Sequence, residues 1–385
     1  MCSTTVIIIG GIHHNTLGVL RSLGDNKKKK ENIILLLTSV SSNKGDFVSK
    51  SKYVKKSNVH YFKNDVEIVN WLINNGSISE KKVIICCSDG SAEQIFKHKN
   101  ELKQFYFTPS MRMNEAELLD KDAQSRLAES VGLNVPYGIR LNKSLYANIS
   151  WDRYPCIVKP LKSVLGAGKE DISIAYNQLE LEETLRNIKA DEIQIQEYIE
   201  KSMEYQLIGC SLNAGDIIII PGFTDIIRQP KNTNTGYLKY SSIELLDVKM
   251  ECVHKLIRTI GYSGLFSMEF IRDTYGIDYY LETNFRNDGN GYCVTTAGVN
   301  LPYLWCFYNI YTTLPQNENT GINRSVYFIP DLEDLKIGIR TEGLFKWFKE
   351  FVSAKSHAVF SVVDPIPGIY QVLSRIWEHI IKHKS

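Results

Sequence analysis

The sequence predicts an α/β protein: a small doubly wound parallel-sheet domain first, an α+β region after it, and a helical C-terminal tail. Three observations carry that expectation. Over the first hundred residues, short continuous apolar runs alternate with helical patterns, as in parallel strands buried on both faces. Strands of alternating character dominate the middle of the chain and close in an acidic hairpin pattern at residues 265–291. Two aromatic-rich segments of helical spacing, residues 343–352 and 370–383, end it.

The 385 residues, 43% hydrophobic and 23% charged, are ordinary for a soluble globular protein of two or three domains. A net charge of +2 argues against a nucleic-acid binder, which carries a strong basic excess or stripe. The run Lys27, Lys28, Lys29, Lys30 is local and reads as a solvated loop. Eight cysteines without metal-type spacing suit free thiols in a reducing compartment, and a cytoplasmic protein is expected. No apolar run approaches the roughly 18 residues of a membrane span, and Val6 to Ile9 is too short for a signal peptide.

Taken in order, Thr5-Val6-Ile7-Ile8-Ile9 followed by Gly10-Gly11 reads as a buried strand running into a glycine turn. A helix is expected over 14–23, strands over 33–37 and 82–86, and a helix over 65–74. Alternating βαβ units of this kind imply the doubly wound sheet. The fingerprint G-x-G-x-x-G is absent at Gly10-Gly11, and no acid closes the second strand, so a dinucleotide is not expected there. The strand ends instead face a substrate, with His13, His14, Asn15 and Ser88-Asp89-Gly90 at the mouth. The two histidines read equally well as plain loop residues.

Residues 114–131 read as one helix with Lys121 early in it, stopped by Gly132 and Pro136. A short strand then ends at Lys159 before Pro160. The glycine-containing loop that follows, with Ser163, Gly166 and Gly168, can lay backbone N–H groups on phosphate oxygens, and Lys159 adds a point charge beside it. It is not a Walker loop, since no helix with Ser or Thr follows. A strand over 193–199, ending in Gln196-Glu197-Tyr198-Ile199, opens into a loop with Glu204 next, and 206–212 pairs with 217–220 across a turn. Residues 224–240, with Arg228, Lys231 and Lys239, read as a lid or a surface loop. A helix over 245–260 is closed by Gly261.

In the acidic hairpin, Glu269 lies on one face of its strand, and Glu282 and Asn284 share one face of theirs. Two carboxylates and an amide oxygen from paired strands are hard ligands suited to Mg²⁺. A solvated sheet face with scattered acids is the alternative. Arg286 and the Gly289-Asn290-Gly291 loop favour a phosphate nearby, because arginine bonds phosphate oxygens in pairs.

Together these motifs resemble the ATP-grasp superfamily. The order is family-like: helix with Lys121, Lys159-Pro160, small-residue loop, Gln196 to Ile199, Glu204, Glu269, then Glu282-x-Asn284-x-Arg286. The likeness covers residues 114–311, and the carbamoyl-phosphate-synthase-like and D-aspartate-ligase-like carboxylate–amine ligases look most similar. The resemblance implies a pre-ATP-grasp domain at 1–113, ATP-grasp subdomains at 114–192 and 193–325, and an amphipathic segment at 326–385.

It implies further that Lys121 and Lys159 reach ATP phosphates beneath the Ser163, Gly166 and Gly168 loop. Gln196, Glu197, Tyr198 and Ile199 would meet the adenine, and Glu204 the ribose. Glu269, Glu282 and Asn284 would hold Mg²⁺, with Mn²⁺ as an alternative and one or two ions. Arg286 would face the transferring phosphoryl. Two positions depart from the pattern. Ser267 stands where many peptide-forming members carry arginine, which leaves Arg228 or Arg286 to supply that cation, and Phe285 stands where proline is frequent.

The implied activity is ATP-dependent joining of a small-molecule carboxylate to an amine through an acyl phosphate, on an amino acid or a cell-envelope precursor. A carboxylase on the same scaffold and a non-catalytic nucleotide-binding regulatory module are the competing readings. The tail carries Leu344, Trp347, Phe348 and Phe351, then Leu373, Ile376, Trp377, Ile380 and Ile381, among basic residues. Such helices either lie peripherally on an anionic membrane or dock on the protein's own core or a second subunit in a homodimer.

Overall fold

Both faces of the first strand, β1 (Thr5–Gly11), are covered. Val6 and Ile8 enter one core while Ile7 and Ile9 enter another, which is why the run is apolar without alternation. In this computed structural model β1 pairs in parallel with β2 (Asn32–Thr38) and β4 (Lys82–Cys86), and β3 (Val59–Phe62) and β5 (Tyr106–Phe107) complete the order β3-β2-β1-β4-β5. The described residues are 5–25, 32–38, 45–118, 120–142, 144, 151–160, 173–229, 235–316 and 319–382. The lysine run 27–30, the loop with Ser163, Gly166 and Gly168, and Lys231 lie outside them.

Around this sheet lie α1 (His14–Gly24), α2 (Asp65–Asn74), α3 (Asp89–Lys97) and α4 (Lys99–Leu102). The expected glycine turn is instead the end of β1. A Cβ on Gly10 would collide with the Thr16 hydroxyl of α1 and sit 2.9 Å from the Cβ of Cys87, so glycine there serves the close approach of strand and helix. The expected single helix over 114–131 is two, α5 (Glu115–Leu118) and α6 (Lys121–Ser130). Asp120 breaks it by capping α6, its carboxylate accepting from the N–H groups of Asp122 and Ala123.

The second sheet has four antiparallel strands in the order β6 (Gly138–Asn142), β9 (Glu192–Glu197), β7 (Cys156–Pro160), β8 (Ser173–Ala175). With α7 (Gln178–Asn187) it encloses a core of its own, including Trp151, Val158, Leu185 and Ile195. The pairing of β9 here moves the sheet boundary past residue 192, to the end of β9.

The third sheet is built on β10 (Lys201–Leu212), which pairs with β11 (Ile217–Ile219), β12 (Gly222–Arg228) and, further along the chain, β14 (Gly264–Asp273). β13 (Tyr237–Ser242) pairs with β12, and β15 (Asp278–Asn284) with β14. The expected loop over 224–240 is therefore largely two strands. Gly261 closes α8 (Met250–Ile260) in the left-handed conformation at φ 65°. After α9 (Gly291–Ala297) and α10 (Leu301–Tyr311), the tail adds β16 (Val326–Ile329) and β17 (Ser356–His357) to this sheet before α11 (Leu332–Glu342), α12 (Leu344–Ser353) and α13 (Ile366–Lys382) are complete.

Two buried ion pairs tie the tail to the body. Arg21 of α1, 1% exposed, donates through Nε to Asp364 Oδ2 at 3.1 Å and through Nη2 to the Val359 carbonyl at 2.7 Å. Arg228 of β12 holds Asp334 in a fork of 3.0 and 2.6 Å and reaches Glu350 at 3.0 Å. Removing one member of such a pair leaves a buried charge alone. Asp364→Ala is expected to cost about 3–5 kcal/mol in urea unfolding. The double change Arg21→Leu with Asp364→Leu should cost clearly less, and equal losses would show that the charge pairing is not what matters.

Candidate active site

The antiparallel registers of β10, β14 and β15 put three polar side chains side by side. Gln206 lies opposite Glu269, and Glu269 opposite Glu282. Residues directly opposite each other share a face. One step along, Ser267 faces Asn284. Two carboxylates on neighbouring strands repel, and partial burial here weakens the screening by water. Glu269 is accordingly pushed up to about 7, first by burial, then by Glu282 and Asp288. Its Oε1 accepts from Asn284 Nδ2 at 3.1 Å and Gln206 Nε2 at 3.3 Å. Gln206 is held in turn by Asn290 Nδ2 at 2.9 Å.

Lys121 forms an ion pair with Glu282. Its placement follows from Gln124, one helical turn later on α6. The buried Gln124 amide treats the edge of β15 as another strand would, accepting from Thr283 N–H at 2.7 Å and donating to its carbonyl at 3.2 Å. Lys159, at the end of β7, donates to Gln196 Oε1 at 3.0 Å. Burial and the charge of Lys121 lower its pKa.

Arg286 leaves β15 toward the first sheet. It donates to Asp89 at 3.0 Å and to Asp288 at 3.3 Å. Ser267, fully buried, donates to the same Asp288 Oδ2 at 2.8 Å. The position where an arginine was expected thus steadies the partner of Arg286. The next residue locks the two sheets together: Asn287 N–H donates to the Cys86 carbonyl at 2.9 Å. Asn15 Nδ2 donates to the carbonyls of Cys87 and Asn287 at 2.9 and 2.8 Å.

The result is a cleft of about 670 Å³ between the ends of the first sheet and the acidic strands. Lys121, Glu204, Gln206, Glu269, Glu282, Asn284 and Arg286 line it, opposite Gly11, His13, Asn15, Thr38 and Asp89. His13 caps α1, accepting from Asn15 N–H at 3.3 Å. His14 is half-buried, and desolvation and the neighbouring His13 lower its pKa. Gln196 and Glu197 end β9, and Tyr198 and Ile199 form the link to β10. The N–H groups of Glu197 and Tyr198 are already committed, to the Tyr137 and Pro155 carbonyls, each at 2.9 Å. Arg228 is a correction: its guanidinium is bound to Asp334 and Glu350 in the tail and is not among the residues lining the cleft.

No family model matches the chain. It is 25% identical over 189 residues to a D-alanine–D-alanine ligase of Aquifex aeolicus (strain VF5), covering 48% of this chain and 64% of that protein. It is 20% identical over 246 residues to a D-aspartate ligase of Enterococcus faecium (strain Aus0004), covering 58% and 57%. The chain thus spans less than two thirds of the length of these relatives. Among solved structures it superposes on the ADP complex of an N5-carboxyaminoimidazole ribonucleotide synthetase with a TM-score of 0.63, 14% identity, and coverage of 88% of this chain and 85% of the other. The chain has the ATP-grasp fold.

Within the ATP-grasp fold, two site residues escaped the sequence reading. Gln206 sits two residues after Glu204 on the same strand, and that spacing was its available signal. Asp288 lies between Arg286 and the Gly289-Asn290-Gly291 loop, both of which the sequence did single out. Among the described residues no three His, Cys, Asp or Glu side chains gather as metal ligands. The oxygen set is two carboxylates and an amide, and the raised pKa of Glu269 marks a place where a hard cation would relieve repulsion. The donors therefore fit a divalent ion.

Glu269 is held protonated to higher pH in the folded state than in the unfolded chain. Its contribution to stability is full below the unfolded value and is lost as pH rises through about 7. Relative to Glu269→Gln, the metal-free wild type should lose on the order of 3 kcal/mol between about pH 4.5 and pH 7.5. Denaturant titrations at several pH values measure this, and parallel curves for the two proteins would refute it.

Proposed function

We propose that the protein is an ATP- and Mg²⁺-dependent ligase that joins a carboxylate to an amine through an acyl phosphate, releasing ADP. The observation that carries the reading is the single cleft in which Lys121, Glu204, Glu269, Glu282, Asn284 and Arg286 meet the strand ends of the first sheet. A carboxylate must gain a leaving group before an amine can displace its oxygen. Phosphoryl transfer from ATP supplies one, and the protein's part is positioning and charge neutralisation.

Glu269, Glu282 and Asn284 would hold Mg²⁺, which shields the β- and γ-phosphates when bound. Lys121 and Lys159 then neutralise phosphate oxygens, and Glu204 accepts from the ribose hydroxyls. Arg286, steered by Asp89 and Asp288, faces the transferring phosphoryl and the oxyanion that follows. With Arg228 engaged in the tail, Arg286 takes both tasks. The acceptor carboxylate and amine occupy the part of the cleft lined by Gly11, Asn15, Thr38 and Asp89. The likeness to two amino-acid ligases supports an amino acid as one substrate.

Arg286→Ala should retain ATP binding by calorimetry while ADP release falls by about 10³-fold or more. Near-normal ADP release by that variant would remove Arg286 from the chemistry. In the wild type, ADP should form only when both an amino acid and an amine acceptor are supplied. ADP formation with bicarbonate in place of the carboxylate would point to a carboxylase.

A further inference from the structure

The last two helices are amphipathic in the opposite sense to a helix docked on a core. On α13, Ile366, Ile369, Leu373, Ile376, Trp377 and Ile380 fall within one stripe about 100° wide at 3.6 residues per turn. All six are exposed, Trp377 at 66%. On α12, Trp347 is buried against the body, whereas Leu344, Phe345, Phe348 and Val352 form a second apolar arc facing out, with Phe345 at 91% exposure. The loop between the helices adds Val362 at 97%. Large apolar side chains exposed in stripes along two helices mark an interaction face.

Charge identifies the partner. From residue 332 onward the chain carries eight Lys and Arg against six Asp and Glu. Three of the acids, Asp334, Glu350 and Asp364, are held by Arg228 and Arg21 from the body. Of the other acids, Glu342 and Glu333 pair with Lys346 and Arg375. The outward balance is cationic, and Lys349 flanks the aromatic arc of α12 on the same helix. A second copy presenting the same face would set one net-positive surface against another. No helix among the described residues is long and apolar enough to cross a membrane, so a bilayer would be met from its surface.

We propose that the outer faces of α12 and α13 seat this protein peripherally on an anionic lipid surface, with Phe345, Phe348 and Trp377 entering the headgroup boundary and the lysines near the phosphates. None of these residues lines the cleft, so this surface and the chemistry of the cleft are independently testable.

The test is sedimentation of the full chain with phosphatidylcholine vesicles containing either no or about 30% phosphatidylserine. Binding to the anionic vesicles should exceed that to the neutral ones by about tenfold and weaken with added salt. Phe345→Ser with Phe348→Ser, and separately Trp377→Ser with Ile380→Ser, target exposed positions and should leave the melting temperature unchanged. The combined variant should lose at least about tenfold in vesicle binding. No binding by the wild type, or undiminished binding by the combined variant, overturns the proposal. So does a wild-type dimer that the same substitutions convert to monomer without affecting vesicle binding.

Discussion

Two half-buried carboxylates set opposite each other on neighbouring strands are the constraint from which the rest of the cleft follows. Strand register fixes Glu269 against Glu282 and Gln206 against Glu269, leaving the charges no freedom to move apart. The surroundings answer that repulsion. Lys121 is held beside Glu282 by a helix whose Gln124 grips the strand edge. Amides from Gln206 and Asn284 converge on Glu269. A site that repels itself in this way is suited to a hard cation.

What was legible in the sequence was local. The acidic hairpin could be read because alternation and turn chemistry act within about twenty residues. Gln206 could not, since its partner Glu269 lies 63 positions away and only the pairing of β10 with β14 unites them. Arg228 was misread for the same reason: Asp334 is 106 positions further on, and nothing near Arg228 announces it. The polar composition of 224–240 concealed two strands, whose hydrogen bonds come from neighbours rather than from propensity. The break in the helix over 114–131 was readable in principle, because Asp120 before a helical run is a capping signal.

The three sheets are joined unequally. The first and third share apolar cores, Val6 and Ile8 lying in the same cluster as Ile208 and Cys210, and the amides of Asn15 and Asn287 cross-link them. The four-stranded sheet keeps its core to itself. A lobe packed on its own interior can alter its angle to the body without opening a cavity elsewhere. The lysine that ends β7 and the residues of the β9–β10 link belong to that lobe, while the acids belong to the body.

The buried pairing of Arg21 with Asp364 and of Arg228 with Asp334 also bears on how such a chain changes over generations. Each pair spans two distant parts of the chain, and substitution of either member alone strands a charge in a dry interior. Within each pair the two positions are coupled. A recombination event that exchanged the last fifty or so residues with those of a relative would succeed only if the incoming segment brought acids to the same two places. The tail and the body therefore constrain each other at two pairs of positions.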